Sequence, residues 1–157
     1  MPREYTTEFE NVSVTNANGD ADIWEFDAAS DKPIELIGFR ISILSELQEA
    51  QEEWLRLRIL RGHTTSANGT SVTPRPRSSV DTAAGFVAEY NGATIASAGT
   101  AVNLESFGVQ VRAGEFIIYP GECSFWTSGT ELLTMRLMAG PADDVTMSST
   151  CWIREYP

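Results

Sequence analysis

The chain has 157 residues, with 11 Lys and Arg against 22 Asp and Glu, so its formal net charge is −11, and 42% of its residues are apolar. This size and composition indicate one soluble globular domain over residues 1–157, large enough to bury a core without a disulfide or a metal ion. The negative charge argues against nucleic acid and anionic membranes as partners, because both would repel the chain at long range.

The sequence shows no signal for secretion or membrane insertion. Its longest stretch without a formally charged residue, 90–104, has 15 residues and is rich in Gly, Ala, Ser, Thr and Asn, which is too short and too polar to span a bilayer. The first ten residues contain no apolar run. We therefore expect synthesis in the cytoplasm.

Apolar and polar residues alternate along most of the chain, which predicts a mainly β structure. Only residues 45–53 have helical character, with Ser45 and Gln48 at the spacing of a capping box. The predicted strands, in chain order, are 7–14, 22–27, 34–44, 54–61, 86–90, 100–104, 108–112, 115–119, 131–138 and 145–155.

Three dipeptides predict turns that join antiparallel neighbours: Asn18-Gly19, Asn91-Gly92 and Ala113-Gly114. About ten short strands without a βαβ rhythm favour an all-β fold. The architecture predicted is a jelly-roll-like antiparallel β-sandwich of about 8–10 strands with one short helix, and a β-barrel is the alternative.

The segment 62–85 interrupts the strand pattern. It is rich in Ser, Thr, Asn and Gly, and Val72 and Val80 are its only large apolar residues. A segment of this length without structure of its own is usually functional or disordered, so we predict a long polar loop or arm that lies across a neighbouring molecule. The residues of this arm predicted to contact a neighbour are Thr73, Pro74, Arg75, Pro76 and Arg77.

Arginines alternate with apolar residues on the predicted strands. Ten of the 11 basic residues are arginines, whose flat guanidinium suits fixed ion pairs and protein interfaces. One interpretation is a sheet face that docks against another protein. The other is a set of solvated pairs with the surplus Glu, each worth about 0–1 kcal/mol. The arginines placed opposite the apolar stripes are Arg40, Arg56, Arg58, Arg112 and Arg136.

The sequence lacks the parts that common enzymes need. His63 is the only histidine, so sites with two or three histidines cannot be built from one chain, and no G-x-S-x-G, P-loop or G-x-G-x-x-G motif occurs. A glycosidase needs two facing carboxylates, and the sequence gives no reason to choose one pair. We predict a protein without catalytic residues, metal or cofactor, and keep a hydrolase as a further hypothesis.

The alternating Asn and Asp residues of 16–22 have a spacing that can hold Ca²⁺. The position of Gly19 and the Asn at the first place of the motif fit an ordinary turn instead. Cys123 and Cys151 lie 28 positions apart, so they form no redox motif; two buried thiols are the expectation, and their pairing stays open.

Exposed aromatic rings beside polar groups would favour a carbohydrate-binding module. The candidates for stacking on a sugar are Trp24 and Trp126. Cores and interfaces also use Trp, so a structural role is the competing interpretation.

Four segments carry a family resemblance: WLRLRILRG at 54–62, VTPRP at 72–76, VQVRAG at 109–114 and WIRE at 152–155. Over residues 34–157 the sequence resembles small β-rich virion proteins of tailed bacteriophages, of the head decoration or cement type. No family-specific binding residue matches a position here.

The resemblance implies a protein that attaches to the outside of a phage head and reinforces the contacts between its capsomers. Its partners would then be the major capsid protein and further copies of itself, often as a homotrimer, and its location would be the exterior of the virion. A carbohydrate-binding module, such as a receptor-binding piece of a fibre, is the alternative.

Overall fold

The structure, a computed structural model, describes residues 1–15, 19–45 and 53–157. These residues form twelve β-strands and no helix. The strands are β1 (Arg3–Val14), β2 (Ala21–Asp27), β3 (Ile34–Ile43), β4 (Trp54–His63), β5 (Thr70–Val72), β6 (Arg75–Pro76), β7 (Val87–Tyr90), β8 (Val102–Gln110), β9 (Glu115–Ile118), β10 (Phe125–Thr127), β11 (Leu132–Leu137) and β12 (Val145–Glu155).

The strands form two antiparallel sheets packed as a sandwich, which confirms the predicted fold class. The first sheet has the order β10-β3-β12-β1-β6, with β9 also paired to β3; the second has the order β5-β7-β2-β11-β4-β8. The predicted helix, 45–53, lies almost entirely outside the described residues. No helix long and apolar enough to cross a membrane occurs in the described part of the chain.

Most observed strands lie where the alternation predicts them. The strands that differ from the prediction are short or lie near the surface. The segments 100–104 and 108–112, predicted as two strands, overlap the single strand β8, in which only Val109 is buried, so its burial alternates weakly. The strands β5, β6 and β10 have two or three residues each, too few to produce a pattern, and were not predicted.

Two of the predicted turns exist but do not join hairpin neighbours. Asn91 has a positive φ of 48° and ends β7, whose partners are β2 and β5. Gly114 has a φ of 69°, and its N–H donates to the Gln110 carbonyl at 3.0 Å, where the chain leaves β8 of the second sheet and enters β9 of the first. A turn dipeptide thus indicates local backbone shape, whereas core packing decides which strands pair. Asn18 lies outside the described residues.

The segment 62–85 is not the free arm that the sequence predicts. It contains β5, which pairs with β7 of the second sheet, and β6, which pairs with β1 of the first. The Tyr5 hydroxyl donates to the Thr82 carbonyl at 3.1 Å, and the Gly85 N–H donates to Glu155 at 2.6 Å. The segment therefore crosses from one sheet to the other on its own molecule, and its polar composition reflects its exposure.

The core lies between the sheets and is rich in aromatic rings. Trp24 is fully buried and lies 5.5 Å from Phe26 and 5.0 Å from Phe9, measured between ring centroids. Its indole N–H donates to the Ser149 hydroxyl across the sandwich at 2.8 Å. This hydrogen bond satisfies the polar atom of a buried indole and fixes one sheet against the other.

Candidate functional site

The arginines predicted to form one face lie on opposite sides of the sandwich. Arg40 lies on β3 of the first sheet, whereas Arg56 and Arg58 lie on β4 of the second. Arg112 is exposed and follows the end of β8. These residues do not form one docking surface, because alternation places each arginine away from the core without specifying which sheet its strand joins.

Arg136 is buried, in contrast to the predicted interface role. Its side chain donates to both carboxylate oxygens of Asp22, at 2.6 and 3.0 Å, and to the Ala96 carbonyl at 2.9 Å. The Ala96 N–H in turn donates to Asp22 at 2.5 Å. Only 7% of Arg136 and 1% of Asp22 are exposed, so this ion pair stabilises the molecule internally.

Loops cover this part of the second sheet. The segments 64–69 and 91–99 contact each other through an antiparallel bridge between Thr65 and Ser97. Below them, Glu25 on β2 accepts the Ala67 N–H at 2.9 Å. The outer side of β2 and β11 is therefore buried under the chain's own loops.

Two carboxylates meet below the loops without an arginine between them. Glu25 and Glu89 lie directly opposite each other on β2 and β7. Burial raises the pKa of Glu25, and the charge of Glu89 adds to the effect, while the hydrogen bond from Ala67 opposes it. Glu89 accepts the Gly69 N–H at 3.1 Å. Both carboxylates thus hold the covering segment through its backbone.

The remainder of the second sheet's outer face is open and carries the pair Arg56 and Arg58. Neither has an acidic partner within 4.0 Å in the part of the chain that the structure describes, and Arg40 on the other sheet has none either. The pair borders a shallow depression of about 280 Å³ that includes Ser106 and Gly108 of β8.

The outer face of the first sheet carries an apolar patch formed by Phe116, Ile118 and Trp152. Phe116 and Ile118, on the short strand β9, are 60% and 56% exposed. The rings of Phe116 and Trp152 meet edge to face with centroids 5.7 Å apart. Gly38 on β3 lies between Ile118 and Trp152, and a Cβ at this position would come within 2.7 Å of Ile118 and 3.2 Å of Trp152. The glycine therefore lets both side chains lie across the strand.

A row of ion pairs borders the apolar patch. Arg154 on β12 donates to Glu35 on β3 at 3.0 Å and to Glu4 on β1 at 2.8 Å, and Arg77 donates to Glu4 at 3.1 Å. Glu35 also accepts the Tyr156 hydroxyl at 2.7 Å. The hydrogen bond to Glu4 is the main cause that raises the pKa of Arg154. The row and the patch line a groove of about 330 Å³.

The segment predicted as an arm contributes to this row and keeps its arginines paired. Arg77 binds Glu4, and Arg75 binds Glu8 on β1 at 3.1 Å. Thr73, Arg75, Pro76 and Arg77 are exposed along the side of the sandwich. Their contact with a neighbour stays a prediction.

The two predicted sugar-stacking residues have different environments. Trp24 is 0% exposed in the core, so the structure excludes it from an external stacking surface. Trp126 is 39% exposed on β10, and its ring lies 4.4 Å from that of Tyr156. The sequence analysis assigned Trp24 to a predicted strand and Trp126 to none, and it did not identify the one that faces solvent.

The described part of the segment 16–22 does not resemble a calcium site. Asp22 is occupied by Arg136, Asp20 is exposed, and residues 16–18 lie outside the described residues. No group of three or more His, Cys, Asp or Glu in the described ranges is arranged to hold a metal ion. Both cysteines are free; Cys151 is buried as predicted, and Cys123 is exposed, which corrects that expectation.

The sequence analysis did not identify the apolar patch. Its signals were present: residues 115–118 contain three consecutive large apolar side chains, and Trp152 and Arg154 alternate with the buried Cys151 and Ile153. The alternation predicted outward positions on β12, but it could not show that β9 would lie beside β3 in the same sheet.

Comparisons with known proteins add no family to these observations. No protein-family model, curated protein or solved structure shows a significant match to the chain.

We expect Arg136→Leu to lower the free energy of unfolding by about 3–5 kcal/mol, because it leaves the Asp22 carboxylate buried without its partner. Urea denaturation at neutral pH measures this. Arg58→Leu is the matched control, since Arg58 lies directly opposite Arg136 on β4 but has no acidic partner among the described residues; it should change stability by less than about 0.5 kcal/mol. Equal losses of unfolding free energy in both variants would contradict the role of Arg136 as the partner that stabilises buried Asp22.

We expect Glu25→Gln to raise the melting temperature at pH 7 by roughly 2–4 °C, because the amide still accepts the Ala67 N–H without a buried charge. The raised pKa of Glu25 means that ionisation opposes folding above that pKa, and that this cost is lost as the pH falls through it toward 4.5, the ordinary value. The difference from the wild type should therefore close on acidification.

Thermal unfolding over a pH series tests this prediction, with Glu10→Gln, at an exposed position on β1, as the control. If the Glu25→Gln protein is less stable than the wild type at pH 7, the charged carboxylate stabilises the fold and the prediction is wrong.

Proposed function

We propose that this protein is a non-enzymatic capsid decoration, or cement, protein and that the outer face of its first sheet attaches it to the outside of a phage head. The observation that carries the proposal is the apolar patch: Phe116 and Ile118 are more than half exposed on a regular sheet, beside the ring of Trp152. A contiguous apolar area on a sheet face is typical of a surface that another protein covers.

The ion-pair row gives the proposed surface its orientation. Arg154 is held by Glu35 and Glu4 before any partner arrives, so these charges need little rearrangement on docking. Burial of the patch would supply affinity at about 25 cal/mol per Å² of apolar area. The charged border would select one register on the partner.

Attachment of this kind strengthens a shell by mass action. A protein that binds only the assembled or expanded lattice stabilises that state in proportion to its occupancy. The proposed partners are the major capsid protein and further copies of the chain, with a homotrimer as the proposed form.

The carboxylates that meet in the structure support a structural role over hydrolysis. Arg154 bridges Glu4 and Glu35, and Arg136 holds Asp22. The backbone N–H of Ala67 donates to Glu25, and that of Gly69 donates to Glu89. Each of these carboxylates therefore has a contact that organises the fold. Separately, the strong negative charge of the chain would repel it from the packaged genome.

We expect the double variant Phe116→Ser, Ile118→Ser to fold normally and to bind heads at least about tenfold more weakly, since removal of two anchors costs more than about 1.4 kcal/mol. Co-sedimentation and electron microscopy of heads from the phage that encodes the chain measure occupancy. The control Val87→Ser, Val102→Ser changes two exposed valines of the second sheet and should bind as the wild type. If the patch variant binds heads as the wild type does, the apolar patch is not the surface of attachment.

Carbohydrate binding is the second candidate function, and the exposed ring of Trp126, which lies against that of Tyr156, favours it. The indole of Trp126 is 39% exposed, so its ring could stack on a sugar, whereas Glu35 beside it on β3 is buried and already accepts hydrogen bonds from Ser124 and Tyr156. A glycan array tests it: binding that disappears in Trp126→Ala would support the module, and an array without signal would remove it.

A further inference from the structure

The strand β8 ends the second sheet and leaves one edge open. It spans nine residues, and no other strand pairs with its far side in the described part of the chain. Only Val109 among its residues is buried. A register shift near Ile59 separates the first residues of β8 from a regular run, 105–110. This run offers a straight row of backbone donors and acceptors to an added strand.

The other sheet edges are protected in ways that β8 is not. The strands β5, β6 and β10 have two or three residues each, and β9, which pairs with β3 on one side, has four. The far half of β1 contains a register shift after Phe9 and carries Glu8 and Glu10. In β8 the one charged residue, Glu105, accepts the hydroxyl of Tyr119. Charges and irregularities normally prevent edge pairing, so their absence from 106–110 favours it.

The arginine pair lies next to this open edge. Arg56 is opposite Gly108 and Arg58 is opposite Ser106, so the residues between the guanidinium groups and the edge are small. A strand added to β8 would lie about 10 Å from β4, which is two strand spacings. Extended arginine and glutamate side chains span that distance across a glycine or a serine. Unpaired arginines thus border the place where the added strand would present its side chains.

An exposed aromatic ring lies at one end of the same edge. Trp54 is 63% exposed and lies against Gly108, where a Cβ would approach its ring within 3.1 Å. It provides an apolar contact for one side chain of an extended peptide.

We propose that β8 is a docking edge for an extended, acidic segment of a partner protein, which adds to the second sheet as an antiparallel strand and pairs its carboxylates with Arg56 and Arg58. Backbone hydrogen bonds would supply affinity, and the alternate acidic side chains would supply specificity. The inference goes beyond the proposed function, because it concerns the sheet opposite the apolar patch.

Charge favours an acidic segment, and not a second copy of this chain, as the occupant of the β8 edge. A two-fold pairing of β8 with itself would bring two arginine pairs to one face of a continuous sheet, where their like charges repel. An acidic segment instead meets the arginines within a Debye length, about 10 Å at 0.1 M salt, while more distant charges are screened.

The probe is a short labelled peptide that alternates glutamate with valine, compared with peptides in which glutamine or lysine replaces each glutamate. Fluorescence anisotropy measures affinity, and amide hydrogen exchange of the intact protein locates binding. We expect the glutamate peptide to bind best, to protect amides of 105–110, and to weaken at least about tenfold between about 0.1 and 1 M NaCl.

Two sets of variants separate the parts of the site. Arg56→Gln, Arg58→Gln should weaken binding at least about tenfold, and Arg40→Gln, an unpaired arginine on the other sheet, should not. Ser106→Glu places an internal competitor opposite Arg58 and should abolish binding, whereas Asn103→Glu, outside the regular run, should leave it unchanged.

Equal binding of the glutamate and glutamine peptides, unchanged binding in the double arginine variant, or no binding would each overturn the inference. Concentration-dependent dimerisation with protection of β8 would assign the edge to a second copy and overturn it as well. The patch variant Phe116→Ser, Ile118→Ser should bind the peptide normally, so loss of head attachment and loss of peptide binding are separate results.

Discussion

The buried carboxylates on the outer side of β2 decide which surfaces of this sandwich are open. A register shift opposite Arg136 leaves Ile23 without a partner, so Ile23 and Trp24 are both buried while Asp22 turns to the arginine. A β-bulge re-aims side chains in this way. Asp22 and Glu25 then hold the covering loops through backbone N–H groups. Those loops close one half of the second sheet's outer face and leave the half formed by β4 and β8.

The two sheets consequently present different chemistry to a partner. The first sheet offers an apolar patch bordered by ion pairs that are already formed, whereas the second offers an unpaired backbone edge and unpaired arginines. An interaction through the patch depends on the area buried, while one through the edge depends on hydrogen bonds and charge. A molecule with both surfaces could hold two neighbours on opposite sides, as the proposed function would require.

Arginine assignments show how far alternation can go. Alternation correctly placed Arg40, Arg56 and Arg58 on the outer faces of their sheets. It placed Arg136 on an outer face in the same way, but it could not show that this side chain would be buried. Only the loop contact at Ala96 and the carboxylate of Asp22, 114 positions away, bury Arg136. The same limit applies to the two tryptophans: the sequence places Trp24 on a predicted strand and Trp126 on none, and it gives the solvent exposure of neither.

The sequence by itself determined the all-β class and most strand positions, because period-two alternation is a local consequence of the pleat, and it favoured a sandwich with a barrel as the alternative. Tertiary structure alone decided the strand partners, the crossing of 62–85 between the sheets, and the gathering of Phe116, Ile118 and Trp152. Those features depend on contacts between residues far apart in the chain, where packing and shared burial choose the partner and no local pattern records the choice.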